Sequence, residues 1–540
     1  MNRPAPVHAR TSALVARDRH RCAPRRSGLW RARHAAALGV CAIVGGCATV
    51  DFDTPRKFST AIEPALDTYL GRRVAEAPPT APDESGFYVL IDGIEALAAR
   101  LKLAERAERT LDVQYYLIHD DITGNLFLAD LLAAADRGVR VRLLLDDIFT
   151  QGYDTRFWLL DAHPNFEIRL FNPFATRTLR YLWSLASLRR VNRRMHNKSF
   201  TVDNLFTVIG GRNIGDEYFG AREDQNFGDL DLVCVGPVVQ EVSTMFDAYW
   251  NDRLAVPVSV LVQAPRDPQR EERELREHYV RAFEAARSTR YKAALDLSAQ
   301  DLVAIQAHEL EWSRYQLVYD PPAKARVGWA DEEESILTPL REALDATEHE
   351  LLLISPYFVP RARGIERFAR LRERGVEVRV LTNSLAANNQ AIVHSGYAPA
   401  RRPLLDLGVE LYEVRPDAAI TGLERVGHEA SRATLHTKAF MFDRTRLFVG
   451  SFNWDPRSFY INTEMGVILD NPGLTSRLVD LVDAALPEQT YRVEINGKGE
   501  LLWTTLEDGE EVVYSSEPET SCWRRFVTGV MRLLPIKDQL

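Results

Sequence analysis

Cysteine is scarce in this chain. There are five in 540 residues, and three of them, Cys22, Cys41 and Cys47, fall within the first fifty. The other two, Cys234 and Cys522, are too distant from each other to frame a disulfide scaffold or a zinc cluster. The twelve histidines form neither an HExxH pattern nor a Cys/His ligand spacing, so no metal and no cofactor is expected. Apolar runs of about 20 residues, the length a spanning helix needs, are missing too. Acids are missing from one place: the first 46 residues hold nine arginines and a single acid, Asp18.

That basic lead runs into the short apolar stretch "HAAALGVCAIVGG" and stops at Cys47. A positive flank, a short apolar centre and a small-residue end are the parts of a secretory signal, so residues 1–46 are expected to be a signal peptide. The string "VGGC" resembles the lipobox of bacterial lipoproteins, which implies cleavage before Cys47, a lipid anchor on it, and a membrane-associated place in the bacterial cell envelope. Setting residues 1–46 aside removes nine positive charges and one negative, which takes the formal net charge from −9 to −17. An acidic body does not suit a general nucleic-acid binder, and no nucleic-acid partner is expected.

Residues 47–85 read as a tether with a proline-rich end, "EAPPTAPDES". From Gly86 the chain alternates strand and helix patterns: "TLDVQYYLI" as a buried strand, "GNLFLADLLAAADRGV" as a helix, "RVRLLLDD" as a strand. The second half repeats that order with "HELLLISPYFV", "GIERFARLRERGV" and "EVRVLTNS". Gly138 and Gly375, 237 residues apart, end equivalent helices. One offset shared by several element types signals an internal duplication. Strands alternating with helices predict α/β domains with parallel sheets covered on both faces. The expected units are residues 86–255 and 335–486, joined by a charged helical connector at 256–334 and followed by a C-terminal extension at 487–540. That extension ends in "SCWRRFVTGVMRLLPIKDQL", which is expected to pack on the body.

A hairpin is also written twice, 240 residues apart. "MHNKSFTV", a turn at Asp203-Asn204 and "LFTVIGG" make the first copy; "LHTKAFMF", Asp443-Arg444 and "RLFVGS" make the second. Side chains alternate along a strand, so His196 and Lys198 share one face, as do His436 and Lys438. An imidazole beside an ammonium suits an anionic substrate: lysine neutralises phosphate oxygens, and neutral histidine can attack or move a proton. Asn213 and Asn453 each stand ten positions after the turn aspartate. Glycines beside them allow close backbone approach, and their amides can donate to a phosphoryl oxygen. Asp203 and Asp443 occupy turn positions that suit holding the hairpin rather than touching phosphate.

The pattern of His196, Lys198, Asp203, Gly210, Gly211 and Asn213, met again as His436, Lys438, Asp443, Gly450, Ser451 and Asn453, resembles the signature of the phospholipase D superfamily. Longer strings, among them "RRMHNKSFTVD", "LTNSLAANN" and "FNWDPRS", are most similar to bacterial cardiolipin synthases of the C type. The resemblance covers about Gly86 to Leu486. It implies two duplicated α/β/α domains facing each other about a pseudo-twofold, with both hairpins in one cleft. It also implies that one histidine becomes a phosphohistidine while the other protonates the departing alcohol and deprotonates the incoming one. By analogy His196 is the nucleophile and His436 the acid/base; the near-symmetry of the motifs leaves the reverse assignment open. The catalytic set is then His196, Lys198, Asp203, His436, Lys438 and Asp443, with Asn213, Asn453 and Ser451 at the phosphate. Two lysines and two asparagines carry the charge that a metal ion would otherwise offset.

Each imidazole needs an acceptor on its other nitrogen. Glu464 in "NTEMG" is the family's candidate in the second half. In the first half Asp229 and Asp231 share a strand face, and Asp231 is preferred. The expected substrates are membrane phospholipids, whose phosphatidyl group is transferred to phosphatidylglycerol; hydrolysis to phosphatidic acid and phosphodiesterase or nuclease activity are the alternatives. "LRYLWSLASLRRVNRRM", with Leu182, Trp183, Leu185, Leu188, Arg189, Arg190, Arg193 and Arg194, suits anionic headgroups and an acyl-chain entrance or, equally, an amphipathic helix packed on the domain. His394, Tyr397 and the arginines after them are candidates for the acceptor.

Overall fold

The computed structural model describes residues 50–532 apart from 77, 80, 178–187, 223, 290, 293, 294, 297–309, 328–334, 422, 423 and 426–431. The leader, Cys47, Leu182, Trp183 and Leu185 lie outside the described residues, as does the side chain of Leu188. The first half of the chain lays down β1 (Glu84–Leu90), β2 (Thr110–Tyr115), β3 (Arg140–Asp146), β4 (Phe166–Phe171), β5 (Ser199–Val202), β6 (Phe206–Gly210), β7 (Gln225–Gly228), β8 (Asp231–Val235) and β9 (Ala255–Pro257). The second lays down β10 (Glu311–Tyr319), β11 (Glu350–Ile354), β12 (Glu377–Asn383), β13 (Glu410–Val414), the small hairpin of β14 (Ile420–Thr421) and β15 (Glu424–Arg425), then β16 (Arg432–Leu435), β17 (Ala439–Phe442), β18 (Arg446–Gly450), β19 (Met465–Asp470) and β20 (Thr490–Ile495). β21 (Leu501–Glu507) and β22 (Glu510–Tyr514) complete the set.

Side by side, the first-half strands run β9-β4-β3-β2-β5-β6-β8-β1. The second-half strands continue as β10-β19-β18-β17-β11-β12-β13-β20, and β21 and β22 extend that edge, making one 18-stranded sheet. Each strand of one half therefore has its counterpart at the same distance from the β1–β10 seam, which is antiparallel, with Glu84 opposite Arg314. The sheet is mixed. β2-β3-β4 and β11-β12-β13 are parallel, as alternating strands and helices require, whereas the duplicated hairpins β5–β6 and β17–β18 add antiparallel strands beside them.

Local chemistry explains the repeated elements. Gly138 and Gly375 take φ of 99° and 84° just past their helices, a left-handed conformation in which a side chain is strained. β2 and β3 are buried almost throughout because elements cover both their faces, and the charges they take inside are paired, Arg142 with Asp112. Each half has its own core around those strands, and a third core, from Phe87 and Val242 to Leu352 and Val479, draws residues from both halves. The hairpin turns place Asp203-Asn204 and Asp443-Arg444 at φ of 52–54°, as a two-residue turn twisted to match its strands demands. Each aspartate carboxylate then accepts three backbone N–H groups from the approach to the neighbouring strand: Glu108, Arg109 and Thr110 for Asp203, and Glu348, His349 and Glu350 for Asp443.

Two expected boundaries change. Residues 52–76, expected as part of a tether, are docked on the first half: Leu70 is fully buried, Arg56 donates to the carbonyls of Asp252, Arg253 and Ala255, and Trp250 donates to Ser59. The connector is helical only in part. The helix Pro268–Ala286 packs on the helix Ile122–Asp136, but β10 follows it and forms the seam, because "EWSRYQLVY" offers alternating residues that a strand between two others can bury. Among the described residues no helix is long and apolar enough to cross a membrane.

Candidate active site

His196 and His436 lie just before β5 and β17, where the backbone of each half meets the other half before entering its hairpin. β7, which ends at Gly228, pairs in parallel with β16, which leads into His436. The mirror contact joins Met195 to Thr463. His196 N donates to Thr463 O at 2.9 Å and His436 N to Gly228 O at 2.7 Å. Each histidine is thereby strapped to the segment that precedes an acid of the opposite half.

The consequence is a crossed pairing. His196 Nδ1 lies 2.7 Å from Glu464 Oε2, and His436 Nδ1 lies 2.5 Å from Asp229 Oδ2. The preferred first-half acid, Asp231, is engaged elsewhere: it forms a buried ion pair with Arg100 Nη2 at 2.7 Å and accepts from Arg212 N. Asp231 is opposite Gly210 in the ladder, just as Gly466 is opposite Gly450. Asp229 is therefore the counterpart of Glu464, two residues earlier on each strand. Gly211 makes the arrangement possible, since a Cβ there would lie 2.2 Å from Asp229 Oδ1. The second half has Ser451 at that place. Its hydroxyl donates to Glu464 Oε2 at 2.5 Å, so Ser451, expected at the phosphate, braces the acid instead.

The two motifs share one electrostatic environment. Lys198 Nζ donates to His196 O at 2.7 Å; Lys438 Nζ donates to His436 O and lies 2.7 Å from His436 Nδ1. Burial lowers Lys198 to about 7 and Lys438 to about 8, opposed by Glu464 and Asp229. Burial also lowers His196 to about 4, with Lys198 and Lys438 adding to the shift, and His436 to about 3, where Lys438 is the next cause. Burial alone would raise both carboxyls, but Lys438 and His436 outweigh it at Asp229, and His196 and Lys198 at Glu464, holding both below the usual range. The site thus holds two carboxylates, two neutral imidazoles whose Nδ1–H groups face those carboxylates, and two easily deprotonated lysines.

Aromatic rings fix the imidazoles from the side. Tyr116 meets His196 edge-on at 4.9 Å between centroids; Tyr218 meets His436 edge-on at 5.1 Å, and Phe227 stacks on it. Asn213 and Asn453 are buried, and each has an Oδ1 without a hydrogen-bond partner, while Asn213 Nδ2 donates to Tyr218 OH.

Other expected contacts are structural. Arg190 donates to Asn172 and Pro173, and Arg194 is buried against Asp146 and Asn172, so these two anchor the approach to His196 rather than meet headgroups. His394 and Tyr397, expected near an acceptor, sit in a buried network with Arg401, Glu413 and Glu517. Among the described residues His119, Asp121 and Glu217 could offer metal-ligand atoms within 4.8 Å of one another. His119 is already paired with Glu217, and Asp121 caps the helix Ile122–Asp136, so the group is accounted for without an ion.

Residues 101–250 and 340–485 match the family described as cardiolipin synthase, PLD-like domain. The two matched stretches make up more than half of the chain, and each contains one histidine–lysine hairpin. The chain belongs to the phospholipase D-like cardiolipin synthase family. Cardiolipin synthase C of Escherichia coli strain K12 is 40% identical over 470 residues, covering 84% of this chain and 96% of that protein. Cardiolipin synthase A of Pseudomonas syringae is 24% identical over 399 residues, covering 73% and 67%. Phosphatidylserine synthase of Haemophilus influenzae shares the fold, with a TM-score of 0.53 and 14% identity over 80% of this chain and 93% of that one. As a cardiolipin synthase family member, this chain is an enzyme of the phosphatidyltransferase and phospholipase D type.

The two first-half aspartates should separate cleanly on substitution. Asp229→Asn is expected to lower turnover by roughly 10²–10⁴-fold, because it removes the anion that orients His436. Asp231→Asn should instead cost about 3–5 kcal/mol in denaturant unfolding, as breaking a buried ion pair does. Comparable losses of both kinds in both variants would contradict the assignment.

Proposed function

We propose that this chain transfers a phosphatidyl group between membrane phospholipids through a covalent phosphohistidine, with phosphatidylglycerol as the acceptor. The observation that carries the reading is the crossed site itself: two intact motifs, two oriented imidazoles and two buried lysines close enough to shift one another's ionisation. His196 Nε2, whose lone pair is free while Nδ1–H faces Glu464, attacks phosphorus. The bond from phosphorus to the donor's headgroup oxygen breaks, and His436 as the imidazolium gives that oxygen its Nε2 proton. Burial and Lys438 disfavour this imidazolium in the empty site; Asp229 and the arriving negative phosphodiester favour it. Neutral His436 then takes the proton of an incoming glycerol hydroxyl, whose oxygen displaces His196 from phosphorus.

Lys198 and Lys438 offset the charge on the phosphoryl oxygens throughout. Asn213 and Asn453 can turn an amide N–H toward the same oxygens, since the Tyr218 hydroxyl can donate to an amide oxygen as readily as accept from its nitrogen. A signal peptide over residues 1–46 and a lipid on Cys47 would hold the enzyme in the bacterial envelope, at the surface that contains both donor and acceptor.

The chemistry is tested by incubating the full chain with vesicles of phosphatidylethanolamine and phosphatidylglycerol and identifying products by mass. Cardiolipin is expected. Phosphatidic acid alone would make the chain a hydrolase, and DNA cleavage without lipid turnover would overturn the phospholipid reading. His196→Ala and His436→Ala should each lose at least about 10³-fold in rate, and full activity in either would overturn the mechanism.

The lysines set a pH dependence. Both must be charged to capture an anion, so kcat/KM of the free enzyme should fall as pH rises through about 7 to 8. Bound phosphodiester favours the charged lysines, so kcat should hold to higher pH than kcat/KM. A kcat/KM profile flat to pH 9 would contradict the account.

A further inference from the structure

The C-terminal helix Cys522–Met531 presents its apolar side to solvent. Trp523, Phe526 and Val530, spaced three and four residues apart, are 71%, 61% and 45% exposed. The Trp523 and Phe526 rings stack on each other at 5.7 Å. Thr528 is the buried residue of the helix, and its hydroxyl turns back to Arg524 O. A helix packed on a protein core shows the reverse arrangement, with aromatic residues inward and small polar ones outward. The helix does pack on the body, against the helix Ala391–Tyr397, but through its small polar side, so the apolar side is left uncovered.

The helix is nevertheless firmly placed. Ser521 caps it through Arg524 N, and it packs on the helix Ala391–Tyr397. Arg524 Nη2 donates to Asn388 O at 2.8 Å. Upstream of the helix, Glu517 is held by Arg401, and Glu519 accepts from Tyr491. The Asn388–Asn389 loop beneath the helix leads toward the site. Asn389 accepts from Tyr357, and the same loop takes Arg432 at Ala386 O, at the start of the strand that runs into His436. Arg432 and Arg524 lie close to one another here, and Arg525 follows on the helix, on a body whose formal charge from Cys47 onward is −17. Burial and, to a lesser degree, the nearby Arg432 push the Arg524 guanidinium below its ordinary value, opposed by Glu517.

We infer that this helix docks on an anionic phospholipid bilayer. Trp523, Phe526 and Val530 enter the boundary between headgroups and acyl chains, and the surrounding arginines meet lipid phosphates. Tryptophan and phenylalanine beside arginine suit that boundary, where an apolar body and a charged rim are both solvated. Docking there would seat the loop beside His436 at the membrane surface; only this consequence rests on the phospholipid reading, and the docking does not.

The test uses the full chain in vesicles of phosphatidylethanolamine and phosphatidylglycerol, some brominated on the acyl chains. A lipid on Cys47 would keep every variant on the vesicle, so depth of insertion is read rather than partitioning. Bromolipid quenching of tryptophan fluorescence is expected in the parent chain and should shrink in Trp523→Tyr. Trp523→Ser/Phe526→Ser should lose at least 10-fold in turnover of vesicle lipid while its turnover of a short-chain, water-dispersed phospholipid stays unchanged. Absence of Trp523 quenching together with unchanged vesicle turnover would overturn the inference. So would disulfide cross-linking of two copies through Cys522 without vesicles and no quenching with them, which would make the face a contact between copies. Quenching at Trp523 with no phospholipid turnover in any form of the chain would support docking and overturn the catalytic reading instead.

Discussion

Two hydrogen bonds, His196 to Glu464 and His436 to Asp229, each join an imidazole of one half to a carboxylate of the other. Neither half can orient its own histidine. The β1–β10 seam, the parallel pairing of β7 with β16 and the Met195–Thr463 bridge hold the halves in the register those bonds require. The core shared between the halves, around Phe87, Val242, Leu352 and Val479, makes that register rigid. A duplicated domain could bring two motifs together by facing contacts alone. Here the backbone itself crosses over, which places each acid within hydrogen-bond distance of its imidazole without a flexible side chain having to span a gap.

The same closeness governs the electrostatics. Four groups that would be charged or chargeable in water lie buried together with two carboxylates, and burial pulls both lysines and both histidines toward their neutral forms. A phosphodiester entering the site supplies the negative charge that the lysines lack as partners. In the proposed reaction, substrate binding and the charging of the catalytic groups therefore reinforce each other. The surrounding structure contributes firm walls: Tyr116, Tyr218 and Phe227 pack on the imidazoles, and Asp203 and Asp443 tie the hairpins to the strands beside them.

The doubled hairpin, the shared offset and the paired glycines at 138 and 375 made the duplication readable from residues alone, since each repeats a local rule that the fold then obeys. What was misread depended on partners far apart in the chain. Asp231 looks as suitable as Asp229 because both face the same way; only the ladder register makes Asp229 the counterpart of Glu464, and only the fold commits Asp231 to Arg100. Aligning the two copies by strand rather than by hairpin would have found it, since Asp231 then falls on Gly466. Ser451 looked like a phosphate ligand because serine often is one, yet its hydroxyl is spent on Glu464. The expected tether and connector failed for another reason. Residues 52–76 and β10 gain their structure by lying on a body that local composition does not describe, so a polar or charged stretch gave no sign of the surface waiting for it.

The crossed pairing is tested most directly by nitrogen NMR of histidine-labelled protein, in which the Nδ1 resonances of His196 and His436 are assigned from the two single histidine variants. Replacing Asp229 with asparagine should move the Nδ1 signal of His436 and leave that of His196 in place, and Glu464→Gln should do the reverse. If Asp229→Asn moved the signal of His196, or if the Asp231→Asn variant moved that of His436 as far as Asp229→Asn did, the halves would not share their acids in the way described.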